Sequence, residues 1–282
     1  MDETLWAILM SWSWRSEVIL SLGLLGGIYL TGWRRLRQRR SARVADKRSL
    51  ALYLTGLALL GLALLSPIDT MASVLFFVHM IQHTLLIMLA PILILLANPF
   101  PVMLWGLPTN IRHWLGHLLT RQGPLRQFLW MSTHLPVAWA IYVVTLWSWH
   151  HPSAYQAALR SDLVHDLEHM MFFGASVLFW WPVINPAPRP HGHIAYSWRI
   201  LYVALATLQN TVLAILLSLT EDVLYPYYLS VPRLWQLTAS NDQTIGGVIM
   251  WSSGSMMYLI VLVVLVMMLL QTWDTHKNTA GG

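Results

Sequence analysis

The chain has 282 residues, 56% hydrophobic and 10% charged, with 16 tryptophans, no cysteine and a formal charge of +5 at pH 7. An aqueous globule is about one-quarter charged, so a mean hydropathy of +0.55 marks a membrane protein. Without cysteine there is no disulfide framework, iron–sulfur cluster or thiolate metal site, and the basic residues flank apolar runs, which fits positive-inside placement and not nucleic-acid binding.

In chain order, the first thirteen residues contain Asp2 and Glu3 but no Lys or Arg, so no basic segment precedes the first apolar run and that run is expected to be a retained helix. Runs long enough to cross a bilayer occur at about 17–33, 49–66, 74–96, 128–148, 163–183, 197–219 and 245–271. His134 and Pro136 interrupt the fourth, and His165 and His169 open the fifth. Both are retained, because neighbouring helices can satisfy the backbone groups that proline frees. The expectation is an all-α integral membrane protein with seven transmembrane helices, forming a single polytopic domain over 1–282.

Orientation follows from the cations. Arg34, Arg35, Arg37, Arg39, Arg40, Arg43, Lys47 and Arg48 crowd the first connection, which must stay in the cytoplasm. Alternation then puts the N-terminus outside and the C-terminus, with Lys277, inside. Arg112, Arg121, Arg126, Arg189 and Arg199 also fall inside, whereas Arg15, Arg160 and Arg233 face out. Asp2, Glu3, Glu17, Asp69, Asp162, Asp166, Glu168, Glu221, Asp222 and Asp242 gather on the outer side, an acidic face suited to a cation.

Between the spans, Asn98 to Pro108 leads into an amphipathic stretch, Thr109 to Thr120, expected to lie on the inner membrane surface. The outer segment from Thr220 to Gln243 is rich in Tyr and Pro and reads as an aromatic cap or partner surface.

Histidine placement carries the chemistry. His79/His83 and His165/His169 each present two imidazoles on one helix face, four residues apart and about 6 Å along the axis. Chance gives about half such a pair for this histidine content. A third pair, His113/His117, sits in the inner connector and reads as a solvated face. On the expected topology both membrane pairs lie within roughly 13 Å of the outer edge, where His150 and His151 close the fourth span. Ionisable groups in spans are expensive and mark function, so His79, His83, His150, His165 and His169 form the candidate metal site. His134, His191, His193 and His276 read as structural or solvated. Asp69, Glu168 and Asp242 can accept imidazole N–H bonds or draw a cation inward. Imidazole alone does not choose among copper, zinc, iron and nickel; Met80 and nearby Met170, Met171, Met250, Met256 and Met257 tilt the choice to copper, of open oxidation state.

The run His79-Met80-Ile81-Gln82-His83-Thr84-Leu85-Leu86, preceded by Ser66-Pro67-Ile68-Asp69, resembles the polytopic CtaG-type cytochrome c oxidase assembly factors. Trp149-His150-His151-Pro152 with Tyr155, His165 through Glu168-His169 to Phe179-Trp180-Trp181-Pro182, and Asp242-Gln243-Thr244-Ile245-Gly246-Gly247 fit the same family over about residues 50–270. The resemblance implies about seven helices, no enzymatic activity, and a role in maturing a copper-containing terminal oxidase of the bacterial cytoplasmic (inner) membrane. Its implied partners are an oxidase subunit or a periplasmic copper chaperone, and a dimer is compatible with it. Its motifs land on His79, His83, His150, His165, His169, Asp69 and Asp242; His151 does not sit at the motif position. Other functions consistent with paired histidines are a membrane di-iron oxygenase, a b-type haem redox subunit and a copper importer.

Overall fold

The computed structural model describes residues 6–7, 10–39, 45–120 and 122–280, with side chains described through Trp273. Asp2, Glu3, Arg40, Arg43 and Arg121, used above for orientation, lie outside the described residues, as do the side chains of His276 and Lys277. Among the described residues there are helices and no strands.

Helices α1 (Ser16–Gln38) and α2 (Lys47–Leu65) form the first two spans. Helix α2 starts where Asp46 accepts the Ser49 N–H at 2.8 Å, which satisfies one of the donors a helix start leaves open. It ends at Ser66, whose hydroxyl accepts the Ile68 N–H and opens the short α3 (Pro67–Ala72).

The third span, Phe76–Leu96, is not one regular helix. Helix α4 (Phe76–Thr84) passes through a π turn, Leu85–Leu89, into α5 (Ala90–Leu96). Pro91 has no N–H to give to the carbonyl four residues back, and its ring crowds that carbonyl. The freed Ile87 oxygen is taken by the Ser176 hydroxyl at 2.5 Å and the Trp180 indole N–H at 3.1 Å. A proline in one span is therefore compensated by polar groups of another, as lipid requires.

Asn98 turns the chain in the left-handed region (φ 50°), which its short polar side chain tolerates, and α6 (Pro99–Gly106) follows. It packs on α1 so closely that a Cβ on Gly32 would sit 1.9 Å from the Val102 carbonyl oxygen, and one on Gly106 1.9 Å from that of Ile28. Only a residue without a side chain fits either position. Arg35 donates to the Trp105 and Leu107 carbonyls at 3.0 and 3.1 Å, so part of the arginine run closes the end of α6. Helix α7 (Thr109–Leu118) has no buried residue, and His113 and His117 on it are exposed.

The expected fourth span over 128–148 is a bent pair. Helix α8 (Pro124–Ser132) and α9 (Leu135–His150) meet at 70°, and α9 alone has 16 residues. Pro136 cannot donate to the Ser132 carbonyl, so a continuous helix would lose a bond and meet a clash there. Among the described residues, six helices are individually long and apolar enough to cross a membrane, and the bent pair is a candidate for a seventh. The chain is thus multi-pass.

Helix α10 (Pro152–Arg160) precedes α11 (Asp162–Ile184), α12 (Tyr196–Leu219), the short α13 (Tyr227–Ser230) and the long α14 (Ala239–Ala280). Helices α12 and α14 pack closely, with Gly254 against Asn210 and Gly247 against Ser218. One apolar cluster is built around Phe179, Trp180, Tyr142 and Tyr258; a second, around the stacked Tyr29 and Tyr53 (3.8 Å between ring centres), joins α1, α2, α5 and α6. Leu24, Leu216, Val263 and Met267 are among many large apolar side chains left exposed, the surface a bilayer covers.

Candidate metal centre

The N-terminus of α4 is held from across the bundle. Asp242 accepts the N–H groups of Phe76 at 3.0 Å and Phe77 at 2.9 Å, and Arg233 donates to the same carboxylate at 2.7 Å. A carboxylate at the positive end of a helix is favoured electrostatically. This contact fixes where α4 begins, and so fixes the direction in which His79 and His83 project. On the other flank Gln82, fully buried, donates to the Ala63 carbonyl at 2.9 Å and to Asp69 at 2.8 Å, tying α4 to α2 and α3.

His79 and His83 face α11. Their Nε2 atoms lie 2.8 Å apart, and their rings are nearly perpendicular. From α11 come Glu168 and His169. The Glu168 oxygens stand 3.9 Å from His79 Nε2 and 3.8 Å from His83 Nε2. One ligand atom from each of His79, His83, Glu168 and His169 falls within 4.8 Å of all the others, and all four residues are buried. Consecutive residues point about 100° apart on a helix, so Glu168 and His169 can grip one ion from two sides while α4 supplies the opposite wall.

The donor set fits a cation. His79 Nδ1, His83 Nδ1, both Glu168 oxygens and both His169 nitrogens are buried with no hydrogen-bond partner. An ionised carboxylate carries a large desolvation cost unless something compensates it. A metal ion supplies that compensation and uses the imidazole lone pairs as well.

The remaining expected residues surround this group at different distances. The His165 ring is 5.4 Å from that of His79 and 4.1 Å from that of His169, at the half-buried rim of the group. The His150 ring is 6.2 Å from that of His83. Its Nδ1 is 2.7 Å from the Leu146 carbonyl, which makes that nitrogen the N–H and leaves Nε2 with its lone pair. His151 is exposed and pairs with Ser153. Asp69 and Asp242 hold Gln82 and the α4 terminus, as described. Burial raises the Asp69 carboxyl above the usual carboxylate range, against the opposing effect of the Gln82 hydrogen bond.

An aromatic wall, which the histidine pattern alone does not show, completes the site. The Tyr155 ring lies 5.0 Å from His79 and the Phe172 ring 4.6 Å from His83. Tyr155 and Tyr228 share a hydroxyl contact of 3.0 Å, and Tyr225 donates to the His150 carbonyl at 2.9 Å. Tyr225 and Tyr228 belong to the segment expected as an aromatic cap. Next to His165, Arg15 bridges Glu17 (2.9 Å) and Asp166 (2.5 Å), so two of the expected acidic-face carboxylates are already paired.

Comparison with protein families matches residues 27–272 to the cytochrome c oxidase caa3 assembly factors. The chain belongs to that family. The matched range includes every residue of the buried group and of its supports, from Asp69 to Asp242. Similar relatives are uncharacterized proteins of Mycobacterium bovis and Mycobacterium tuberculosis, each 28% identical over 253 residues, covering 87% of this chain and 36% of the relative. An uncharacterized protein of Mycobacterium leprae is 26% identical over 259 residues, covering 89% and 38%. The chain therefore spans little more than a third of the length of these relatives. No solved structure matches it.

Proposed function

We propose that this caa3 assembly factor family member binds copper and supports copper-site maturation of a terminal oxidase, acting without breaking a bond in any substrate. Copper is its cargo. The observation that carries this reading is the buried set of His79, His83, Glu168 and His169, with unpartnered donor atoms, in a chain of an oxidase assembly family. His165, beside His79 and His169, and His150, beside His83, are suited to hand an ion in or out by ligand exchange. Cu(I) and Cu(II) both accept imidazole, and ligand type leaves the oxidation state open.

In this reading the bent α8–α9 pair is the seventh span and the arginine-rich connection is cytoplasmic. Arg15, at the start of α1, pairs with Asp166 beside the histidines, whereas Arg35, about 30 Å along that helix, closes α6. The two features thus belong to opposite ends of the bundle, which supports a site opening outward from the bacterial cytoplasmic membrane. A copper donor or an oxidase subunit would dock there, against the segment bearing Tyr225 and Tyr228. The test is the copper content of the oxidase assembled in cells whose sole copy of this protein carries His79→Ala and His169→Ala: a copper-deficient oxidase is expected, and a fully loaded one contradicts the reading.

Glu168 gives weight to a second reading, since a set of imidazoles and a carboxylate also suits iron. Iron bound in place of copper by the purified protein would select it.

A further inference from the structure

Next to His83 a small cavity of about 30 Å³, which Glu168 does not line, opens between α4, the π turn, α9, α12 and α14. It has room for a single ion or water. Three buried methionines, Met80, Met88 and Met250, line it together with His83 and His150. Methionine ordinarily fills gaps in a core; here three of them border a space left open.

Two further observations concern a ligand. His150 Nε2 is buried with no partner, although its residue lines the cavity, and the Nδ1 contact to Leu146 leaves that nitrogen as an electron-pair donor. The π turn matters too. In a regular α-helix Met88, five residues after His83, would point about 140° away. The wider turn over Leu85–Leu89 brings it round, so both line the same space. Such turns occur often at functional sites.

We infer that this cavity is a second metal site, specific for a soft monovalent cation such as Cu(I), held by thioethers of Met80, Met88 and Met250 with His150 Nε2. Neutral sulfur and imidazole donors suit Cu(I), whereas Glu168 in the neighbouring group suits a harder or more highly charged ion. His83 borders both, so an ion can pass from one to the other by exchanging one ligand at a time. The inference takes from the proposed function only that the protein handles copper.

Silver(I) serves as the probe, because it shares the preference for thioethers. The full chain in detergent is dialysed against Ag(I), and separately against Cu(II), as wild type, Met88→Leu/Met250→Leu, the lipid-facing control Met267→Leu/Met268→Leu, and His79→Ala/His169→Ala. Leucine nearly conserves the volume of methionine, and the single variants Met88→Leu and Met250→Leu stand in if the double variant does not fold. The cavity variants are expected to lose one silver per chain and the sulfur scattering in its X-ray absorption, with Cu(II) affinity within about twofold of wild type. The control is expected to lose neither. Unchanged silver binding in the cavity variants, or silver bound in the wild type through nitrogen and oxygen alone, overturns the inference. Cu(II) binding by His79→Ala/His169→Ala tests the other group independently, so either reading can fail without the other.

Discussion

Glu168 and His79 meet across the α4–α11 interface with a carboxylate oxygen 3.9 Å from the imidazole Nε2, both side chains completely buried. Neither Glu168 oxygen has a hydrogen bond. A protein tolerates such a group where a bound cation offsets its desolvation.

Replacing Glu168 with Gln separates binding from folding. The amide keeps the shape but removes the charge a dication would meet. Copper affinity is expected to fall by at least the roughly 10- to 100-fold that loss of a ligand's supporting partner alone costs, with unchanged or slightly raised thermal stability of the metal-free protein. Competition titration against a chelator and a melting curve in detergent check both. Affinity equal to wild type would remove Glu168 from the site.

Asp242 acts through α4 and not on a metal. Asp242→Ala leaves two helix N–H groups and Nη2 of Arg233 without their acceptor and removes the charge that balances the guanidinium, which keeps only the Tyr228 and Leu237 carbonyls. The expected cost is about 3 kcal/mol, that of breaking a buried charged network. Melting temperature should drop before copper loading is considered, and Asp242→Asn should recover part of it. A full loss of copper binding at normal stability would instead make Asp242 a direct participant.

The Ile87 carbonyl is shared by Ser176 and Trp180, so the two donors should not be additive. Ser176→Ala or Trp180→Phe alone is expected to cost about 1 kcal/mol, since the other donor still satisfies the oxygen. The double variant orphans it and should cost more than the sum. Reversible unfolding of the four proteins measures the coupling, and strict additivity would show that the shared oxygen is not what they hold.

Gly32 and Gly23 lie on the same helix with opposite surroundings. A Cβ at Gly32 meets backbone at 1.9 Å, whereas one at Gly23 has nothing within 4 Å. Gly32→Ala is expected to separate α1 from α6 and lower the melting temperature strongly, while Gly23→Ala gains helix propensity, up to about 1 kcal/mol. Equal melting temperatures for the two would refute the close crossing.

The apolar runs were legible because lipid demands long, nearly uninterrupted hydrophobic stretches, and most expected spans match helices to within a few residues. The break in the fourth was marked by His134 and Pro136, but hydropathy measures content and not direction, so the 70° bend was not legible. His79, His83 and His169 came from spacing and depth. Glu168 was expected as a support; that it stands within 4.8 Å of the three imidazoles depends on how α11 faces α4, which no spacing within one helix encodes. Asp242 grouped with the site by depth alone, and its hold on Phe76 and Phe77 arises between segments about 166 residues apart.

The buried histidines and Glu168 are expected to hold copper. Metal analysis of the purified full chain after copper loading, beside His79→Ala/His83→Ala and His165→Ala/His169→Ala, tests this most directly. The expected result is copper retained through gel filtration by the wild type and a large loss in both variants. Wild-type protein that retains none, or variants that retain as much as it does, would show that these residues do not hold copper.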